Sequence, residues 1–224
     1  MQQFLWKGNA MKGVKFGGLH SFYEWGLILS PDKEIKSPLP KKKTVDVEGA
    51  DGELDFTEAF GDVKFNNRQL SFKFHKASIV PDGFLALYSV VQNTIHGKTM
   101  QVILDDDPAY YYFGRVTINE WKSDKRLGII VIDVDAQPYK LKVTETVVTR
   151  AVTGSADIIL TNSRKPVVPT ITTDAAMTIA FGGYTAAVQA GTFRLPELQL
   201  REGQNTVKVT GTGNITFSYR EGSL

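Results

Sequence analysis

A chain of 224 residues, 42 % hydrophobic and 22 % charged, has room for one large or two small domains, and its 13 Phe, 8 Tyr and 3 Trp supply a sizeable core. The net charge of +2, with basic and acidic residues balanced up to Lys140 and nearly so beyond it, lacks the cationic excess that phosphate-dominated nucleic-acid binding requires. The absence of cysteine excludes disulfides, thiolate catalysis and Cys-based zinc sites. The opening residues show no apolar core of signal-peptide length, and apolar runs such as 129–132 are far too short to span a bilayer. Export would then follow another route, such as release of an assembled particle at lysis.

Residues 1–10 read as an extension or tag ahead of a natural opening strand at 11–16. Residues 22–29 (FYEWGLIL) read as a short turn followed by a strand. Pro31, Pro38 and Pro40 cannot donate to a ladder, which makes 30–43 a loop or edge segment, and Lys41, Lys42 and Lys43 form a solvated face. The organising stretch is 44–75. There Leu70, Phe72 and Phe74 alternate with Ser71, Lys73 and His75, and Leu54 and Phe56 alternate with Glu53, Asp55 and Thr57. Both patterns have the period of strands with one buried face. Ala50-Asp51-Gly52 and Asn66-Asn67 supply the turn chemistry between them.

One helix is expected, at 82–96, with Phe84, Leu87, Tyr88, Val91 and Ile95 on one face, Pro81 at its start and Gly97 in the C′ position. Strands follow at 100–104, 110–118 and 127–134, with Asp105, Asp106, Asp107 and Pro108 as the first turn and 119–126 as a polar connection. After Lys140 helical periodicity disappears. Strands are expected at 142–152, 157–161, 178–181, 184–189, 206–210 and 214–219. Gly182-Gly183, Glu202-Gly203 and Gly211-Thr212-Gly213 are the expected turns. The fold class is therefore mainly β with one helix at 11–140, a sandwich- or barrel-like domain, followed by an all-β sandwich at 141–224.

The search for reactive chemistry returns little. His20, His75 and His96 lie in unrelated segments without ligand spacing, and no nucleophile elbow or His-based metal motif occurs. Gly211-Thr212-Gly213 lacks the third glycine of a phosphate cradle. Asp51, Glu53 and Asp55 on one strand face, and the acidic turn 105–107, are the places where a carboxylate pair or an oxygen-ligated cation could reside. Period-two acids on a strand are normally its wet side, so no catalytic, cofactor or metal residue is assigned. Tyr184, Phe193, Phe217 and Tyr219 are the aromatics that a glycan-binding second domain would use.

The run Phe22-Tyr23-Glu24-Trp25-Gly26-Leu27-Ile28-Leu29, then 44–55 (TVDVEGADGELD), then Asn67-Arg68-Gln69-Leu70-Ser71-Phe72, resembles the distal tail proteins (Dit) of long-tailed, non-contractile phages and their prophages. His96-Gly97-Lys98, the segment 105–114 and the closing strands at 200–222 follow in the same order, so the likeness runs from Met11 nearly to the end. It implies a β-rich belt domain with one helix, six copies of which close into a ring at the end of the tail tube, and a galectin-like sandwich outside it. The implied partners are further copies of the chain, the tail tube protein and the tail-tip protein, with receptor-binding proteins at the rim in some members. The implied location is the virion tail, assembled in the bacterial host cytoplasm. No nucleic-acid specificity and no membrane insertion are implied.

A ring needs one patch that meets a different patch on the neighbour. The candidate residues are Glu48, Asp51 and Glu53, facing a basic patch at Lys41, Lys42 and Lys43 or at Arg68 of the next copy. The same acids would otherwise serve to keep an edge strand soluble. The leading expectation is a structural, non-enzymatic tail component. The alternatives are a carbohydrate-binding adhesion module of a phage particle and a hydrolase using the acidic clusters.

Overall fold

Leu70, Phe72 and Phe74 turn one face of a strand into a hydrophobic wall, and the first unit is built against that wall. In the computed structural model the described residues are 12–49, 51–59, 61–77, 81–123 and 127–224; the expected extension at 1–10 and Ala50 of the first expected turn lie outside them. The chain divides into two compact units, Met1–Pro138 and Tyr139–Leu224. Both are mainly β.

The first unit contains β1 (Val14–Phe16), β2 (Leu19–His20), α1 (Ser21–Trp25), β3 (Ile28–Ile35), β4 (Thr44–Asp46), β5 (Glu53–Asp55), β6 (Arg68–Ala77), α2 (Pro81–Ile95), β7 (Thr99–Leu104), β8 (Tyr110–Ser123) and β9 (Leu127–Ala136). Seven of these strands form one antiparallel sheet in the order β2-β1-β7-β8-β9-β6-β3. Leu70, Phe72 and Phe74 of β6 and Ile130, Ile132 and Val134 of β9 are buried on one face and directly paired. Phe16 meets Phe72 and Phe74 edge-to-face at centroid distances of 6.4 and 6.2 Å, an arrangement aromatic rings prefer, and packs on Trp25 at 6.4 Å with a 31° tilt.

The helix α2 closes this core with Phe84, Val91 and Ile95, all buried. Phe84 stacks on Trp121 of β8 at 4.0 Å, and Tyr88 lies 4.3 Å from the same ring. A side chain at Gly128 of β9 would meet the Phe84 ring at 2.0 Å, so the helix is seated by the absence of a Cβ there. Trp121 belongs to a part of β8 expected to be connection. The strand continues to Ser123 because a bulge between Ile118 and Glu120 adds one residue to it. Ile118 and Trp121, both packed on the core, thus stand three residues apart, and the period of two fails to show it.

Two further departures concern the segment before β6. Residues 21–25 form a helical turn, so the described residues of the unit include two helices and not one. His20 is its N-cap: its Nδ1 accepts hydrogen bonds from the N–H groups of Phe22 (3.1 Å) and Tyr23 (3.3 Å), while Gly26 at φ 64° closes the other end. Histidine is not among the residues that announce a cap, which is why a simple turn was expected. β3 runs through Pro31 as an edge strand, its register shifting between Leu29 and Lys33, as an edge position allows.

The second unit contains β10 (Lys140–Lys142), β11 (Thr146–Asn162), β12 (Thr170–Thr173), β13 (Met177–Phe181), β14 (Tyr184–Val188), β15 (Gly191–Phe193), β16 (Gly203–Tyr219) and β17 (Gly222–Ser223). β11 and β16 pair without a break from Thr146 opposite Tyr219 to Asn162 opposite Gly203. The expected pairs of shorter strands are therefore two long ones. On its other side β16 carries β13 and β12 in succession, and these carry β14 and β15. Val207, Val209, Ile215, Phe217 and Tyr219 of β16 point into one core with Val152, Ile158 and Leu160 of β11.

Gly211-Thr212-Gly213 is the middle of β16, not a turn. Gly211 and Gly213 have φ of 149° and 151°. A Cβ at Gly213 would lie 2.5 Å from Asp174 Oδ1, and one at Gly211 would lie 3.0 Å from Met177 Cγ. The connection from β12 to β13 crosses the strand at this point. Glycine in a strand interior marks close backbone approach as readily as it marks a turn.

Glu221, buried, ties the ends of this unit together. Its carboxylate accepts from Lys142 Nζ (2.5 Å), Thr146 Oγ1 (2.7 Å) and Ser163 Oγ (2.7 Å). Burial acts to raise its pKa, but these hydrogen bonds and the Lys142 charge outweigh that and leave it below the ordinary 4.5. A depressed carboxylate contributes stability above its unfolded-state pKa and loses it as pH falls through the folded value. Thermal unfolding followed against pH should show wild-type Tm falling below about pH 4.5 and a shallower fall for Glu221→Gln. At neutral pH Glu221→Ala should cost about 2–3 kcal/mol, since Lys142 keeps access to water.

Candidate assembly surface

The hairpin β4–β5 stands apart from the main sheet as a separate two-stranded ribbon. Val45 is directly opposite Leu54, Thr44 opposite Asp55, and Asp46 opposite Glu53. Residues directly opposite one another, and those two positions along, share a face. Within the ladder one face therefore carries Val45 and Leu54, and the other carries Thr44, Asp46, Glu53 and Asp55, with Val47, Glu48 and Phe56 just beyond the strand ends. These apolar residues are half-exposed: Val45 is 52 %, Leu54 54 % and Phe56 42 % exposed. Leu54 and Phe56 were expected inside the core, and the alternation that predicted a one-sided strand was correct in period but wrong in what covers it.

The foot of the ribbon is well tied. Phe56 N–H donates to Lys43 O (2.7 Å), Lys43 N–H donates to Thr57 Oγ1 (3.0 Å), and Thr57 N–H donates to Asp55 Oδ1 (2.8 Å). The hydroxyl and N–H of Thr57 hold Asp55 below the usual carboxylate range. An open groove of about 430 Å³ lies beside it, lined by Pro40, Lys42, Asp55, Thr57, Glu58 and Val63.

Of the residues singled out from the sequence, Glu48, Asp51 and Glu53 are all exposed on this ribbon or its turn. Lys41, Lys42 and Lys43 are at its foot. Arg68 is placed differently. It is only 6 % exposed, donates to Lys36 O (3.0 Å) and Pro138 O (3.4 Å), and lies 5.2 Å from the Tyr112 ring centroid. Its guanidinium is engaged within its own unit, and the surface role expected of it gives way to one of fastening β6.

Several of the ionisable groups singled out from the sequence have structural partners, while the buried Nδ1 of His75 has none. His20 Nε2 bonds Asp105 Oδ2 at 2.8 Å while its other nitrogen caps α1. Asp105 also accepts from Gly13 N–H (2.9 Å), and these bonds outweigh its partial burial and lower its pKa. Asp106 pairs with Lys12 and Lys33. His96 Nδ1 accepts from Ile118 N–H (3.0 Å). Among the described residues no three His, Asp or Glu side chains are grouped to hold a metal. Phe217 and Tyr219 are core, the latter donating its hydroxyl to Thr161 O (2.6 Å) and pushed up to about 12 by burial and by Glu221. That removes two of the four aromatics a glycan site would have used.

The outer face of α2 is a second exposed apolar surface. Leu85 and Val90 are 67 % and 53 % exposed, and Ala86, Ser89 and Asn93 complete an uncharged stripe. Ser89 Oγ donates to Leu85 O (3.1 Å) and Thr94 Oγ1 to Val90 O (2.6 Å). Those hydroxyls bond to carbonyls of their own helix. Lys98 and Arg115 sit at the C-terminal end, donating to Asn93 O, Thr94 O and Gly97 O.

No protein-family model matches the chain, and no curated protein matches it in sequence. Among solved structures it is similar to the Dit protein (gp 19.1) of phage SPP1, described as a paradigm of the hub adsorption apparatus in phages that infect Gram-positive bacteria. The TM-score is 0.69 at 14 % identity, over 94 % of this chain and 99 % of that one. The two share a fold.

If the apolar ribbon residues are half-exposed in the free chain, polar substitution there should be nearly neutral. In urea unfolding of the monomer, Leu54→Ser and Phe56→Ser should each change stability by less than about 0.5 kcal/mol, while fluorescence of a bound hydrophobic dye drops. Phe72→Ala should cost about 3–5 kcal/mol.

Proposed function

We propose that this chain is a structural component of a phage tail tip, a distal tail protein of the Dit kind, and that it works without catalysis. The single observation that carries the reading is the fold correspondence with a hub adsorption protein along nearly the whole of both chains. The engagement of His20, Asp105, Asp106 and His96 in caps, turns and ion pairs supports it, since those side chains already have partners. In this reading the first unit is the belt domain, six copies close into a ring, and the second unit is a galectin-like domain. The tail tube protein and the tail-tip protein are the neighbours along the tail axis, with receptor-binding proteins as a further class of partner.

Ring closure needs two different patches on each copy. The exposed acids Glu48, Asp51 and Glu53 provide one, to be met by cations of the adjacent copy. Native mass spectrometry of the purified chain should give a mass six times that of the 24.8 kDa monomer. Asp51→Lys with Glu53→Lys should lower the assembled mass and make the remaining assembly less sensitive to salt. A chain that stays monomeric both alone and with tail tube protein would overturn the proposal.

A further inference from the structure

The ring of His20 is gripped at its two nitrogens by partners of opposite kind. It stands where β2 passes into α1 and is buried. Nδ1 faces two backbone N–H groups, those of Phe22 at 3.1 Å and Tyr23 at 3.3 Å. A nitrogen that meets two donors must offer its lone pair, so Nδ1 carries no hydrogen. Nε2 lies 2.8 Å from Asp105 Oδ2. Burial acts to raise the pKa of Asp105, but the bonds from His20 and Gly13 outweigh that and lower it, so the carboxylate is ionised at neutral pH. An ionised carboxylate only accepts, and Nε2 therefore carries the hydrogen. Both ends of the ring demand the same neutral tautomer.

A second proton can enter only at Nδ1, where it would point at two N–H groups. The bond to Asp105 survives that step, because an imidazolium still donates from Nε2 and now brings a charge to the carboxylate. The ring is closely packed: a Cβ on Gly13 would lie 2.5 Å from its Cε1, and the Tyr23 ring centroid is 4.4 Å from its own. The titratable and charged groups around it are Asp105, Lys15 directly opposite across the β1–β2 pair, and Tyr23 and Glu24 of α1, while Asp106 is taken up by Lys12 and Lys33. We infer that His20 is a proton-operated latch: neutral, it caps α1 while anchored on Asp105; protonated, it keeps Asp105 and releases the cap. The segment it holds ties several elements together. Trp25 packs on Phe16, its carbonyl accepts from Lys76 Nζ of β6 (3.0 Å), and Ser21 Oγ accepts from Val14 N–H (3.1 Å). Acid thus loosens the corner that joins β1 to β6.

Magic-angle-spinning NMR of the full chain, labelled with isotopic nitrogen in histidine, reads both ring nitrogens at any assembled mass. At mildly alkaline pH the His20 Nδ1 signal should be that of a bare nitrogen and the Nε2 signal that of an N–H. A hydrogen on Nδ1 under those conditions overturns the inference. The pH is then lowered until both nitrogens carry hydrogen. Exchange of the Phe22 and Tyr23 amides, corrected for the intrinsic effect of pH, should rise about fivefold, the usual equilibrium cost of a lost cap. Unchanged exchange after the second proton has entered overturns the inference, and so does a ring that stays neutral until the chain unfolds. His20→Asn supplies a side-chain oxygen that caps α1 and takes no proton, so its amides should keep their exchange rate over the same range. An equal rise in that variant means that acid loosens the corner by another route and overturns the latch. The wild-type measurements do not depend on the variant folding, and none depends on the chain forming a ring.

Discussion

The contact of Phe16 with Phe72, Phe74 and Trp25 is what the first unit depends on. It joins the short first strand, the capped turn after it and the central strand β6 across one hydrophobic face, and no nearby sequence segment could supply the same burial. With that face filled, β9 and β6 pair in the only register that keeps Ile130, Ile132 and Val134 inside, because a slip by one residue would turn each of them to water. The helix α2 then covers what the strands leave open, held by Phe84 between Trp121 and Gly128.

The second unit meets a different constraint. Two strands of 17 residues pair along their whole length, and a ribbon that long buries an apolar face only if further strands cover it. Gly211 and Gly213 let the chain cross within contact distance of β16, and Asp174 locks the crossing by accepting both Asn214 N–H and Asn214 Nδ2 at 2.7 Å. At the other end the buried Glu221 gathers Lys142, Thr146 and Ser163. A buried carboxylate with three donors is costly to form but costlier to leave half-paired, which favours one arrangement of these ends over others.

The acidic turn 105–107 follows the same logic. Asp105, Asp106 and Asp107 resemble a cation-binding turn on paper. In the fold, Asp105 orients His20 and receives Gly13 N–H, and Asp106 receives two lysines. Asp46, Glu48, Asp51, Glu53 and Asp55 face solvent on the β4–β5 ribbon and its turn.

Local pattern was enough to establish the mainly β class, the second helix (expected at 82–96, formed at Pro81–Ile95), the burial of Leu70, Phe72 and Phe74, and the glycine turn between β13 and β14, because each depends on a periodicity or a φ preference carried within a few residues. The exposure of Leu54 and Phe56, the burial of Arg68, the passage of β16 through Gly211-Thr212-Gly213 and the continuation of β8 to Trp121 were settled only by the tertiary structure. Alternation states that a strand has two unlike faces, but not which surface lies against either one. A glycine states that a side chain is missing, but not whether a turn or a crossing chain needed the space. Those answers depend on residues tens of positions away, and they exist only once the chain has folded.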